Sequence, residues 1–416
     1  MDSDEPGLKK VPLNFPIRRK IPVRAPAAMA SFACAAERCE WTCCHGWRIP
    51  VDPAHAAIYK SWTETDGTQP FAGFLRSVRV KRAGKLTAES FLDLPAEPAG
   101  RCRFLSGANR CRLQERFGEG ALCDSCALFP RRLIQFDEQT WMTVSLACPE
   151  TIRKLILTEK PLTLTTIESS VDLNADWLDT DQVADKSLRE ILSKREEFLT
   201  ACFRIIYDPG IPFHEKLIRL CSRIAALNGA APPAVNARPT EADLGAAILL
   251  LEKSFNPPPG GFAASVTNAV SGLLGSGFDR QVRLGAAFAQ ADRSYLSPFF
   301  ESQPRWFENY LAAMLYADAL TEIDAFVRPD YTLADAVRTT QARLILSANL
   351  LTLRLAASAR AKDGISKEIF MHSIYENDRN FFQSPVIVEN ILNRCAAIIE
   401  TGHIVFLGDF LNQPGR

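Results

Sequence analysis

The chain has 416 residues, of which 47% are hydrophobic and 23% charged. That length and mixture exclude both a small disulfide-stapled scaffold and a wholly disordered chain. Lys plus Arg and Asp plus Glu each number 48, so no global field draws the chain to nucleic acid or to an anionic membrane, and any partner must be read from local features.

In chain order, the first residues lack the apolar run of a secretory signal and are punctuated by prolines, which implies a cytoplasmic protein. Residues 9–24 are basic and could meet an acidic surface, but a solvated, proline-stiffened arm over residues 1–30 is the simpler expectation. Residues 31–158 then form a Cys-rich region with two expected hairpins. Val78, Val80 and Leu86 alternate around Ala83-Gly84, and Leu133 to Phe136 face Trp141 to Val144 across a short turn.

Beyond about residue 158 the apolar period becomes helical, beginning with Leu188, Ile191, Leu192, Leu199, Phe203 and Ile206. Further helices are expected over residues 214–227, 242–255, 306–326, 333–359 and 386–411, separated by breakers such as Asp208-Pro209-Gly210 and the Pro/Gly run at 257–261. The most apolar stretch, 342–357, carries Arg343, Asn349 and Arg354 and falls short of the roughly 20 apolar residues that span a bilayer, so a buried helix is expected there. The predicted fold class is α+β and predominantly helical. An irregular Cys-rich, metal-binding N-terminal region precedes an all-helical C-terminal region, residues 159–416.

Nine of the twelve cysteines lie in the first part: Cys34, Cys39, Cys43, Cys44, Cys102, Cys111, Cys123, Cys126 and Cys148. Three chemistries compete for them. Disulfides fit poorly in a reducing compartment and in a chain this large. Zinc suits thiolates at C-x-x-C spacing such as Cys123 and Cys126. A [4Fe-4S] cluster also takes four thiolates, and adjacent Cys43-Cys44 is unlike a zinc ribbon. All nine are candidate ligands, although one centre needs only four. His45 lies within the run, but a lone His beside Cys is more often a neighbour than a ligand. Cys202, Cys221 and Cys395 fall on apolar helical faces and are expected in the core.

Four segments, in order, carry a resemblance. The first runs Phe32-Ala-Cys34-x4-Cys39-x-x-Thr42-Cys43-Cys44-x-Gly46-Trp47-x-Ile49-x-x-Asp52, and the second Cys102-x-Phe104-Leu105-x5-Cys111-x-x-Gln114. The third is Leu122-Cys123-x-x-Cys126-x-x-Phe129-Pro130-Arg131, and the fourth Ser145-Leu146-x-Cys148-Pro149-Glu150. Together they resemble the flagellin lysine-N-methylase family. The related zinc- or iron-chelating CxxCxxCC domain family shares thiols resembling Cys39, Cys43, Cys44, Cys102, Cys111 and Cys126, whereas Cys123 and Cys148 favour the methylase branch. Phe307-Glu308-Asn309-Tyr310-Leu311 extends the resemblance toward the C-terminus, while the stretch 373–381 departs from it, with Ile374 and Asp378 where Arg and His are expected.

The resemblance implies S-adenosylmethionine-dependent methylation of lysine amines on flagellin, with a protein-bound [4Fe-4S] cluster and zinc as the alternative metal. A non-enzymatic zinc- or iron-chelating protein, in which the thiols act on folding or carry metal, is the competing reading. Neither usual donor signature accompanies it. Gly272-x-x-Gly275-x-Gly277 closes an expected helix instead of opening one after a strand, and the C-x3-C-x2-C triplet of radical S-adenosylmethionine enzymes is absent from the sequence. Asp52 and Arg131, which close the first and third segments, either orient a ligand's charged groups or, more commonly, form a salt bridge that ties the two loops together.

Overall fold

The computed structural model describes residues 18–44, 48–63, 74–82, 85–93, 101–172, 178–179, 182–230, 280–318 and 328–378, with a few single positions between them. These residues divide into two compact units, Met1–Val144 with Leu164–Asp179, and Ser145–Thr163 with Thr180–Arg416.

The first unit contains two sheets. Strands β1 (Arg18–Pro26), β5 (Arg131–Phe136), β6 (Gln139–Val144), β7 (Leu164–Asp172) and β8 (Leu178–Asp179) form one, in the order β7-β1-β6-β5-β8. β1 pairs antiparallel with β7 along its length, from Arg18 opposite Asp172 to Pro26 opposite Leu164, and parallel with β6 on its other side. β2 (Arg48–Val51), β3 (Leu75–Arg82) and β4 (Lys85–Asp93) form the second, wholly antiparallel sheet, in the order β2-β4-β3. Both hairpins expected from the alternation are present, as β3–β4 and β5–β6. The short helices α1 (Pro53–Ser61), α2 (Arg112–Phe117) and α3 (Asp124–Leu128) accompany the three-stranded sheet. Their shared core contains Tyr59, Trp62, Phe71 and Phe104.

The expectation of a solvated N-terminal arm is corrected over residues 18–26. There the chain is an internal strand, with Val23 and Ala25 buried at 1% and 0% exposure. Ile21, Val23 and Ala25 alternate with Lys20, Pro22 and Arg24, a period-two pattern that the basic residues obscure. Residues 9–17 lie outside the described residues.

The described elements of the second unit are helical: α4 (Pro149–Leu155), α5 (Lys186–Ser193), α6 (Arg195–Tyr207), α7 (Phe213–Ala225), α8 (Arg280–Ala291), α9 (Ser297–Ser302), α10 (Pro304–Asp318), α11 (Leu333–Lys362) and α12 (Lys367–Asn377). The π-helical turn Asp292–Leu296 joins α8 to α9. An uninterrupted helical region after residue 158 is also corrected, because β7 and β8 intervene and complete the five-stranded sheet. Expected helices at 386–411 and across most of 242–255, the glycines at 272–277, Cys395 and His45 lie outside the described residues.

α11 starts on a capping box. The Thr332 hydroxyl accepts from the Asp335 amide at 3.2 Å, and the Asp335 carboxylate accepts from the Thr332 amide at 3.0 Å. Arg343 and Asn349 are buried within it, as expected of a core helix. Among the described residues no helix is long and apolar enough to cross a membrane.

The segment at 307–311 knits the second unit together. Glu308 takes the Lys216 ammonium at 2.5 Å and the Arg305 guanidinium at 2.9 Å. The Asn309 amide donates to the carbonyls of Thr158 and Lys160 and accepts from the Tyr207 hydroxyl. Tyr310 donates to the Ser347 carbonyl at 3.3 Å. Asp378 accepts from the Ser145 hydroxyl and the Ala147 amide, each at 2.6 Å. It thereby anchors the turn that leads into Cys148. That thiol is buried in the N-cap position of α4.

Candidate functional site

Three of the four thiol segments belong to the first unit, and the fold converges them. The Cys102 amide donates to the Cys44 carbonyl at 2.8 Å, joining the first segment to the second. Glu37 and Arg110 join the same two segments through paired contacts at 3.1 Å. The second segment doubles back, with Leu105 bridging Cys111 and the Ser106 amide donating to the Arg110 carbonyl at 2.8 Å. Cys111 then occupies the N-cap position of α2, and Cys123 that of α3.

Within this arrangement Cys43, Cys44, Cys102, Cys111, Cys123 and Cys126 perturb one another. Two proton-sharing pairs stand out. The hydrogen bond from Cys43 lowers Cys44 to about 7 against the opposing cost of burial, with help from Thr42 and Arg101. Likewise the hydrogen bond between Cys126 and Cys123 favours the Cys123 thiolate and holds the proton on Cys126, well above the usual thiol range. Burial pushes Cys102 up to about 12 and also raises Cys111, reinforced in both by neighbouring sulfurs. Such a group resists carrying several negative charges at once unless a cation joins it. Cys34 is exposed, and the Cys39 sulfur donates to the Trp41 carbonyl at 3.1 Å. Cys202 and Cys221 are buried in the second unit, as expected of core residues, and burial raises each to about 12.

α1 supplies the polar support beneath the thiols. Asp52 is its N-cap and accepts from the His55 amide at 2.9 Å. The same carboxylate accepts from His55 Nδ1 at 2.8 Å and from the Asp124 amide at 3.2 Å. His55 Nε2 lies 2.9 Å from the Gly120 carbonyl. Both ring nitrogens therefore face acceptors, and only the doubly protonated imidazolium donates to both. Burial opposes that charge, but the bonds to Asp52 and Gly120 and the nearby anionic groups outweigh it and raise His55. Burial pushes Asp52 up in turn, yet its bonds from His55 and the Asp124 amide leave it below the usual carboxylate range.

One helical turn further on, the Tyr59 hydroxyl donates to the Ala121 carbonyl at 2.8 Å and accepts from the Cys123 amide at 2.9 Å. Its ring stacks on Phe71, with centroids 4.2 Å apart and planes 7° from parallel. Asp52 thus ties the first segment to the third through the Asp124 amide, while Arg131 donates to the carbonyls of Ala127 and Leu128 at 2.7 and 2.9 Å. His55 and Tyr59 escape motif reading because neither lies within a thiol run. Their spacing from Asp52, three and then four residues, is the signal that places all three on one helical face.

The donors suit a thiophilic metal in type, and two of the sulfurs, Cys44 and Cys123, are thiolate-prone. Among the described residues, no group of three or more His, Cys, Asp or Glu side chains is already arranged to hold a metal ion.

Fold and site together define a mixed α+β protein whose first unit gathers cysteines from distant parts of the chain. No protein-family model matches the chain, and no solved structure matches it. Over 138 residues it is 28% identical to the flagellar biosynthetic protein FliU of Salmonella muenchen, covering 33% of this chain and 79% of that protein. A match of the same length and identity relates it to the lysine-N-methylases of Salmonella typhimurium and Salmonella choleraesuis. There the chain spans about a third of each relative's length, 33%. The chain is thus related, over that third, to proteins named lysine-N-methylase.

Proposed function

We propose that the protein is an S-adenosylmethionine-dependent lysine N-methyltransferase acting on flagellin, with a thiolate-bound [4Fe-4S] cluster in its first unit. The observation that supports the metal part is the joining of three separate thiol segments, through the Cys102 amide on the Cys44 carbonyl and the Asp124 amide on Asp52, with Cys44, Cys102, Cys123 and Cys126 perturbing one another. The relation to proteins named lysine-N-methylase supports the activity. A lysine amine attacks a methyl donor only when neutral, so the enzyme has to desolvate the ammonium or accept its proton. The bound donor supplies an activated methyl group. Within the chain, the thiols would hold the cluster, and the charged His55 would offset part of their negative charge.

The direct test is anaerobic purification followed by measurement of iron, sulfide, zinc and the visible spectrum, with a methylation assay on flagellin analysed by mass spectrometry. About four irons and four sulfides per chain, with broad absorbance near 400 nm, are expected. Methyl-lysine should appear on flagellin only when both enzyme and donor are present. A colourless protein holding zinc would overturn the cluster, and unmodified flagellin would overturn the activity. A second reading, a non-enzymatic metal protein, is favoured by one observation: Cys123 lies within the aromatic core of the first unit, and Cys102, Cys111 and Cys126 pack against it. A metal there would act on folding.

A further inference from the structure

We propose that Asp52, His55 and Tyr59 act as a positioning template, holding the backbone of residues 120–124 so that Cys123 and Cys126 stand in register with Cys44 and Cys102. The inference rests on the metal-binding reading above and joins Asp52, which closes the first thiol segment, to His55 and Tyr59, which lie outside every thiol motif.

The three side chains lie on one face of α1 and engage four nearly consecutive backbone groups. His55 donates to the Gly120 carbonyl and Tyr59 to the Ala121 carbonyl. Tyr59 then accepts from the Cys123 amide, and Asp52 from the Asp124 amide. Apart from Leu122, whose amide donates to the Glu119 carbonyl at 3.1 Å, every residue from 120 to 124 is held by α1. The segment runs from the end of the 3-10 turn Glu119–Ala121 into the first residue of the five-residue helix α3. The Asp52–His55 contact locks the imidazole ring, and the Phe71 stack locks the phenol. A pre-set template of this kind spares the metal the entropy of ordering the loop. A general packing role alone would need the rings but not the hydroxyl or the second ring nitrogen.

The test uses the full chain, stripped of metal and titrated anaerobically with cobalt(II), reading the thiolate-to-cobalt charge-transfer band. Tyr59→Phe keeps the ring and its stack but removes both hydroxyl bonds; His55→Gln keeps a neutral donor. For each variant, affinity is expected to fall about tenfold or more, with the band shifted and with faster amide exchange at residues 120–124. The melting temperature serves as a control. Tyr59→Trp, which restores a ring N–H donor but no acceptor, should leave the Cys123 amide exchanging fast. Wild-type affinity and an unshifted band in both Tyr59→Phe and His55→Gln would overturn the template while leaving the metal reading intact. Absence of any band in the wild-type chain would overturn the metal reading, and the template with it. If Tyr59→Phe fails to fold, His55→Gln decides by the same two readouts.

Discussion

Removing His55 would leave the Asp52 carboxylate beside a gap where a charged donor stood. The side chains are 0% and 18% exposed, so His55→Ala is expected to cost about 3–5 kcal/mol of unfolding free energy, the usual penalty for breaking a buried pair. The pH dependence follows from the two shifts. His55 is raised, so its contribution is complete below the ordinary imidazole range and is lost as pH climbs through its folded value. Asp52 is lowered, so its contribution is complete above the ordinary carboxylate range and is lost as pH falls through its folded value. The stability gap between wild type and His55→Ala, followed by urea denaturation, should therefore be widest between about pH 4 and pH 6.5 and narrow on either side. A gap independent of pH would mean the ring is neutral. A comparison of thiols makes a second residue-scale prediction. Cys44→Ser and Cys126→Ser should abolish stoichiometric metal binding, whereas the exposed Cys34→Ser should retain it, as read by metal analysis of the purified variants.

At the scale of elements, α11 and β1 offer contrasting tests. Thr332→Ala removes one half of the capping box and should destabilise the second unit by about 1 kcal/mol, seen as a lower denaturation midpoint at unchanged slope. Val23→Asp places a carboxylate at a fully buried position of an internal strand and should prevent the five-stranded sheet from forming, which circular dichroism and proteolysis would report. The same two elements explain what sequence could disclose. α11 was legible because a local 3.6-residue period declares a helix without reference to anything distant. β1 was not, because its basic residues and prolines resemble an arm until β7 supplies a partner from far along the chain. The β3–β4 and β5–β6 hairpins were visible for the local reason again, each pairing two strands that are neighbours in the sequence. At the site, the thiols announced themselves by residue type and spacing. Their support from α1 did not, since hydrogen bonds to the backbone of residues 120–124 leave no requirement on side-chain identity at those positions.

For the whole molecule, Cys102, Cys111, Cys123 and Cys126 belong with a core of the first unit, so metal removal should act unevenly. Chelation is expected to speed amide exchange in β2–β4 and residues 101–128 while leaving α11 and the Asn309 knot of the second unit protected. Equal acceleration throughout would argue that the two units open as one. The chain also passes between the units three times, since Ser145–Thr163 belongs to the second and Leu164–Asp179 returns to the first. During synthesis, β1 leaves the ribosome before β7 and cannot meet it until the thiol region and α4 have followed. At roughly 5–20 residues per second, that wait is on the order of ten seconds. For that interval a newborn chain carries a strand with open hydrogen-bonding edges beside unsatisfied thiols, and its fate depends on what the cell offers first: a chaperone, a metal, or another copy in the same state.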